Sequence, residues 1–317
     1  MNRMKTLCLW DLSVGASVVD PLKMLTEIDL YAPTYHNLLG QIEEADVYLA
    51  SPFVGMDSQV LDRASRLKVV GFPGMTPKFI DVNELTKRGI KFVSIADQPD
   101  VLNSITAPAE HAWALLLASV RKIPIAMNGV MGGLWGTDRF MGTQLQGRRL
   151  GLIGMDRTAA MIANYAQAFG MPVLAHDPIG ESSMPRNVRS ADLFTLLQNS
   201  DIVSLHMPVT AETQGFIDAS KIQLMQDGVV IVNVSHADLI DEFDLAKAVS
   251  ENKIGAVAVD AVRGEWNDIR DSVLVQLATR RENVVITPGL ADQTYESQAL
   301  IYQFICERVA AEIQRRP

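Results

Sequence analysis

The sequence predicts an α/β protein of two lobes with a cleft between them, on three observations. Short runs rich in Val, Ile and Leu alternate with helical patterns along nearly the whole chain, as parallel sheets require. The alternation comes as two series joined by one long helix pattern, APAEHAWALLLASVRKI, at about residues 107–123. The second series opens on a glycine-bearing strand-to-helix turn, GLIGMDRTAA, at residues 151–160.

In the first series the strand candidates are KTLCLW, DVYLAS, LKVVGF and IKFVSIA, separated by helical patterns such as SQVLDRASR and DVNELTKRG. In the second they are RRLGLIGM, PVLAHD, DIVSLH, GVVIVNVS, AVAVDA and NVVITP. Near-continuous Val/Ile runs suit strands buried on both faces. Between the series, NGVMGGLWGTDRFMGTQL lacks periodicity and reads as an extended arm or loop that packs on a second subunit. The stretch from about 292 to 315 reads as a closing helix.

A chain of 317 residues has room for two cores. A hydrophobic content of 48% with 21% charged residues belongs to a folded soluble protein. The net charge of −9 offers no basic footprint, which argues against nucleic acid and anionic membrane surfaces as partners. Cys8 and Cys306 stand far apart in sequence, in no metal or redox spacing, and read as buried thiols in a reducing cytoplasm. No metal site is expected. Asp11 interrupts the short apolar run near the N-terminus, and no stretch approaches the roughly 20 apolar residues of a membrane helix. A cytoplasmic location is expected.

The turn GLIGMDRTAA nearly spells G-x-G-x-x-G, with Gly154, Asp156 and Ala159 at its three key positions. The first glycine permits the tight turn, the second lets backbone approach a pyrophosphate, and the third allows close helix packing. Gly154 keeps the first role and Ala159 is permitted in the third. Asp156 places a carboxylate where phosphate charges should approach, although Asp is also a good helix cap. Like charges at about 4 Å repel by roughly 1 kcal/mol in water and several at lower dielectric. A dinucleotide should therefore bind one to three orders of magnitude more weakly, at about 1.4 kcal/mol per decade. Asp177 lies 23 residues beyond Gly154, near the spacing of an acidic residue that contacts adenosine ribose hydroxyls.

With these motifs in order, the chain resembles the D-isomer-specific 2-hydroxyacid dehydrogenase family over nearly its whole length. The segments that carry the resemblance are APAEHAWALLLASVRKI, GRRLGLIGM, YAQAFGMPVLAHDP, DIVSLHMPVTAETQGFI, GVVIVNVSHADLIDEFDLAKAV, AVAVDA and ENVVITPGLADQT. The resemblance implies a flavodoxin-like substrate lobe, residues 1–104 with 290–317, and a doubly wound Rossmann lobe, residues 105–289. It implies NAD(H) or NADP(H) as cofactor, a small carboxylate or other metabolite in the cleft, and a homodimer through the cofactor lobe and its arm. It adds Arg157, Pro208, Thr213 and Asp260 to Gly154, Asp156 and Asp177 as cofactor-binding positions. Gly74, Thr76 and Lys78 stand at the substrate loop.

Four elements depart from the family pattern. His236 stands in Asn233-Val234-Ser235-His236-Ala237-Asp238 where the family has the arginine that grips the substrate carboxylate. Imidazole lacks the bidentate fork of a guanidinium, and Asp238 adds a negative charge in place of a glycine. Gly289 follows Thr287-Pro288 where the family has its proton-transferring histidine. Glu265 matches the glutamate that orients that histidine and so has lost its partner. In the substrate loop the G-x-G-x-D pattern reads Gly74-Met75-Thr76-Pro77-Lys78, where proline removes a backbone donor. Phosphate turn, carboxylate clamp, acid/base histidine and substrate loop are all altered.

Three readings stand. In the first, the NAD-binding fold persists with weak or absent 2-hydroxyacid:NAD oxidoreductase activity, as a pseudoenzyme or ligand-binding protein, with or without bound cofactor. In the second, His236 and Glu265, with Lys78 as a further candidate, form a new catalytic set acting on another substrate, with or without a nicotinamide cofactor. In the third, the chain is a working NAD(P)-dependent 2-hydroxyacid oxidoreductase with non-standard residues. His111, His176 and His206 are read as structural.

Overall fold

The computed structural model describes residues 3–75, 77–96, 98–177, 184–264, 268–280 and 283–315. The chain divides into two compact units, Met1–Ile105 with Gln293–Pro317, and Thr106–Asp292. Both are α/β.

The first unit is a five-stranded parallel sheet of β1 (Met4–Cys8), β2 (Thr26–Leu30), β3 (Val47–Leu49), β4 (Val69–Gly71) and β5 (Lys91–Val93). Its order is β2-β1-β3-β4-β5, the flavodoxin-like winding. Two apolar clusters cover its faces. One holds Leu38, Val60 and Leu85 from the helices of the first series, and the other is closed by Ile301, Ile305 and Val309 of the helix Tyr295–Gln314. Strand β2 was not among the expected strands. It pairs only with β1 at the sheet edge, so its sequence TEIDL alternates polar residues and lacks a Val/Ile run.

The second unit is a seven-stranded parallel sheet. Its strands are β6 (Leu150–Ile153), β7 (Val173–His176), β8 (Arg189–Ser190), β9 (Ile202–Leu205), β10 (Val229–Asn233), β11 (Ile254–Val259) and β12 (Val284–Ile286). The order β12-β11-β10-β9-β6-β7-β8 is a doubly wound Rossmann sheet with one added strand. The two-residue β8 is a second edge strand that the sequence pattern did not reveal. Strand β6 is buried at every position, as is β9, which fits their apolar sequences. The chain winds outward from β6 through β7 to β8, then restarts beside β6 at β9. The topological switch point therefore lies between the ends of β6 and β9.

One face of this sheet is covered by the helices Ala107–Val120 and Arg157–Ala168. Trp113 from the first meets Tyr165 and Phe169 edge-on, at ring separations of 5.9 and 5.0 Å. Such contacts add about 0.5–1.5 kcal/mol each beyond area burial, which gives the YAQAFGM motif a packing role. The expected long helix is two: Ala107–Val120, and Ile123–Met131 after a break at Lys122, whose φ of 53° is left-handed. Pro124 opens the second helix, which takes up the first residues of the expected arm. Among the described residues, no single helix is long and apolar enough to cross a membrane.

Candidate functional site

The carboxyl ends of β6, β9, β10, β11 and β12 carry the polar groups that the sequence singled out. The tightest packing is at the switch point. Gly154 follows β6 with φ +88°, and its amide donates to His176 O at 2.9 Å. A Cβ on Gly154 would lie 2.1 Å from the carbonyl oxygen of His206. No other residue fits this turn.

Asp156 caps the helix Arg157–Ala168, its Oδ1 accepting from Ala159 N at 2.8 Å. Its carboxylate thus lies against the helix N-terminus, where an anion would otherwise bind. Arg157 is half-buried, and burial lowers its pKa against the opposing pull of the Asp156 and Asp292 carboxylates. Asp156 Oδ1 also lies 3.8 Å from His206 Nδ1. The His206 side chain is wholly buried, with Nε2 paired to Ser204 Oγ at 2.8 Å and no hydrogen-bond partner for Nδ1.

At the end of β10, buried Asn233 builds the loop. Its Oδ1 accepts from Ser235 N at 3.0 Å and its Nδ2 donates to His236 O at 2.8 Å. Ser235 Oγ donates to Leu205 O at 2.8 Å, which ties this loop to the end of β9. His236 Nδ1 accepts from Asp238 N at 3.1 Å, so a neutral ring carries its proton on Nε2. That ring is about a third exposed, at 35%.

Sequence reasoning missed Arg263. Its Nε stands 3.3 Å from Asp238 Oδ1, in ion-pair range but not aligned as a hydrogen bond. Its backbone amide donates to buried Glu242 Oε1 at 2.7 Å. Burial raises the Glu242 carboxyl above its ordinary range, against the Arg263 amide and charge. A signal for this pairing was present. Asn233 pairs with Val259 in parallel register, so residues a few positions beyond each strand end become neighbours.

Asp260, after β11, is a hub. Its Oδ1 accepts from Thr287 Oγ1 at 2.5 Å and Leu290 N at 2.8 Å, and its Oδ2 from Ala291 N at 2.8 Å. His111 Nε2 lies 3.1 Å from Asp260 Oδ1 and 2.9 Å from Thr287 Oγ1. His111 thus fastens the helix Ala107–Val120 to the ends of β11 and β12. Gly289 donates its amide to Asp260 O at 2.7 Å and has φ +70°. It brings no side chain to the position.

The remaining positions are more scattered. Thr213 Oγ1 donates to Pro208 O and accepts from Thr210 N, both at 2.7 Å, closing the loop after β9. Asp177 follows β7 and lines a shallow pocket with His176, Arg189, Ser190, Asp192 and Thr195. Gly74 and Lys78 follow β4 in the first unit. Thr76 and Glu265 lie outside the described residues.

The family model for the D-isomer specific 2-hydroxyacid dehydrogenase NAD binding domain matches residues 113–291. A D-3-phosphoglycerate dehydrogenase of Archaeoglobus fulgidus is 35% identical over 86% of this chain and 50% of its own length. The chain thus spans about half the length of that relative. A hydroxypyruvate reductase of Thermotoga maritima is 32% identical over 87% of each chain. A crystal structure of a Thermus thermophilus protein superposes with a TM-score of 0.84 at 26% identity, over 98% of this chain and 97% of that one.

Proposed function

Since the chain belongs to the D-isomer specific 2-hydroxyacid dehydrogenase family, we propose that it keeps a weakened nicotinamide dinucleotide site and has lost most conventional 2-hydroxyacid:NAD oxidoreductase activity. The observation that carries this reading is Gly289. The position after Thr287-Pro288 offers a backbone amide to Asp260 and no group that can exchange a proton with a substrate hydroxyl. Loss of a general acid/base typically costs 10²–10⁴-fold in rate.

The dinucleotide fits the unit's cradle in part. Gly154 leaves the turn open to backbone approach, and Arg157, Asp177, Pro208, Thr213 and Asp260 are the residues that would hold the cofactor. The Asp156 carboxylate on the helix cap is the misfit. When bound, the nicotinamide would supply or accept a hydride. This chain's part would be to orient the ring, exclude water and manage a proton, and Gly289 brings no side chain to the last role.

A second reading rests on His236. Its Nδ1 is fixed by the Asp238 amide, which leaves Nε2 as a donor or acid/base group for another substrate. Asp238 Oδ2 lies 3.5 Å from Nδ1 and would serve as counter-ion to a charged ring.

The protein is further proposed to be a cytoplasmic homodimer that binds a small carboxylate or related metabolite. Exposed Met131, Trp135 and Met141 support the dimer, because they gather on the arm.

The deciding assay is NADH oxidation with glyoxylate, hydroxypyruvate and pyruvate, beside an active hydroxypyruvate reductase. The expected rate is at least about 100-fold below that enzyme. Turnover of about 1 s⁻¹ or faster on any of the three, within the ordinary enzyme range, would overturn the reading.

A further inference from the structure

We infer that a nicotinamide dinucleotide enters the Gly154–Arg157 turn together with one proton, shared by Asp156 and His206, so that His206 sets cofactor affinity from beneath the turn. The inference rests on the reading that this turn takes a dinucleotide.

Two independent observations meet here. The N-terminus of the twelve-residue helix Arg157–Ala168 is already occupied by a carboxylate of the chain itself, on Ala159 N at 2.8 Å. Behind that carboxylate lies a wholly buried imidazole whose Nδ1 has no hydrogen-bond partner and stands 3.8 Å from Asp156 Oδ1. A buried ring nitrogen without a partner is costly to leave unmet. It is placed for a bond that a small movement would complete.

The charges define the need for a proton. Among the described residues, Asp156 is the one charged side chain acting on the His206 ring, and burial holds that ring below the usual histidine range. Arg157 is the adjacent cation, but two carboxylates, Asp156 and Asp292, already act on its charge. A pyrophosphate brings two more negative charges to this seat. Protonation changes the pair from carboxylate and neutral imidazole, net −1, to carboxylate and imidazolium, net zero. In the imidazolium both ring nitrogens carry a proton, so Nδ1–H donates to Asp156 Oδ1 and Nε2–H donates to Ser204 Oγ. No bond other than these hydrogen bonds forms or breaks. The anion is thus the partner that makes a buried imidazolium favourable.

Linkage fixes the sign. If binding takes up one proton, affinity falls as pH rises, by up to about tenfold per pH unit. The test is calorimetric titration of NADH into the full-length protein near neutral pH, in PIPES and in Tris, whose ionisation enthalpies differ. The wild type should take up close to one proton per NADH. Asp156→Asn, which keeps a capping side chain, should bind about tenfold or more tighter, with uptake near zero and a flat pH profile. His206→Gln should bind more weakly than wild type, also without uptake; if it does not fold, Asp156→Asn decides.

Wild-type binding without proton uptake overturns the inference and leaves the cofactor reading standing. An unchanged pH slope in Asp156→Asn does the same. Failure of both wild type and Asp156→Asn to bind NADH at millimolar concentration overturns the cofactor reading and this inference with it.

Discussion

Arg263 Nε lies 3.3 Å from Asp238 Oδ1, so the carboxylate that stands where the family motif has glycine brings its own counter-ion. Both side chains are about a third exposed, at 33% and 40%, and such a pair is worth about 1 kcal/mol or less. Its importance is in what it occupies. Asp238→Gly would leave the Arg263 guanidinium without its Asp238 counter-ion. Binding of oxalate should then strengthen by roughly tenfold, or about 1.4 kcal/mol. Calorimetry reads this directly, and unchanged oxalate binding would show that the pair does not border an anion seat.

Gly154→Ala should cost about 3 kcal/mol or more in stability. The new methyl would meet the His206 carbonyl oxygen at 2.1 Å, and the φ of +88° is itself unfavourable for alanine. Urea denaturation checks it. A loss below about 1 kcal/mol would mean that the β6–β9 crossing relaxes easily.

The Asp260 carboxyl is held below the usual range. Burial pushes it up, but His111, Thr287 and the amides of Leu290 and Ala291 outweigh burial. A depressed folded pKa gives stability that is fully present above the unfolded value of about 4 and is lost as pH falls below it. Asp260→Asn should therefore cost about 2 kcal/mol at neutral pH, as for a buried charge-assisted hydrogen-bond partner. The gap between wild type and variant should close as pH falls below about 4. A gap that persists unchanged in acid would mean that shape and neutral hydrogen bonds, not charge, hold the hub.

Gly289→His alone should not restore the family reaction. A Cβ there meets nothing within 4 Å, so the first side-chain carbon is not blocked by a clash. The φ of +70°, however, costs a non-glycine residue roughly 1–2 kcal/mol, and the guanidinium clamp is still missing. Glyoxylate reduction should rise by less than about tenfold in the single variant and further in Gly289→His with His236→Arg. A gain of about 10² or more from Gly289→His alone, the scale of a full general acid/base, would contradict this.

Trp135 is 91% exposed on the arm, with Met131 at 75% and Met141 at 72%. Trp135→Ser should shift a dimer toward monomer by light scattering, since a buried interfacial tryptophan commonly contributes about 2 kcal/mol or more. An unchanged mass would place the interface elsewhere.

Much of the fold was legible because the central strands are apolar throughout. Runs such as LGLI, IVSL and VVIVN announce strands buried on both faces, and their spacing fixes two parallel sheets. The edge strands TEIDL and RS were illegible for the converse reason, since an edge needs no apolar run. At the candidate site, the Asp156 cap could be anticipated, because Asp before a helix has one common local role. The polar pairs that cross between strand ends could not be read from periodicity. Arg263 with Asp238, and His111 with Asp260, depend on register and on which way a helix presents its ring. The unmet Nδ1 of His206 had no sequence signal, because it is defined by a contact that falls short.

Gly154 is demanded by the carbonyl of the neighbouring strand's exit, not by a phosphate. A lineage that gave up nucleotides altogether could not give up this residue without repacking the centre of its sheet. The first glycine of the fingerprint therefore testifies to ancestry and architecture, and it is silent about present occupancy. Position 156 stands half in solvent rather than in the core, so that is where a change of ligand can be recorded.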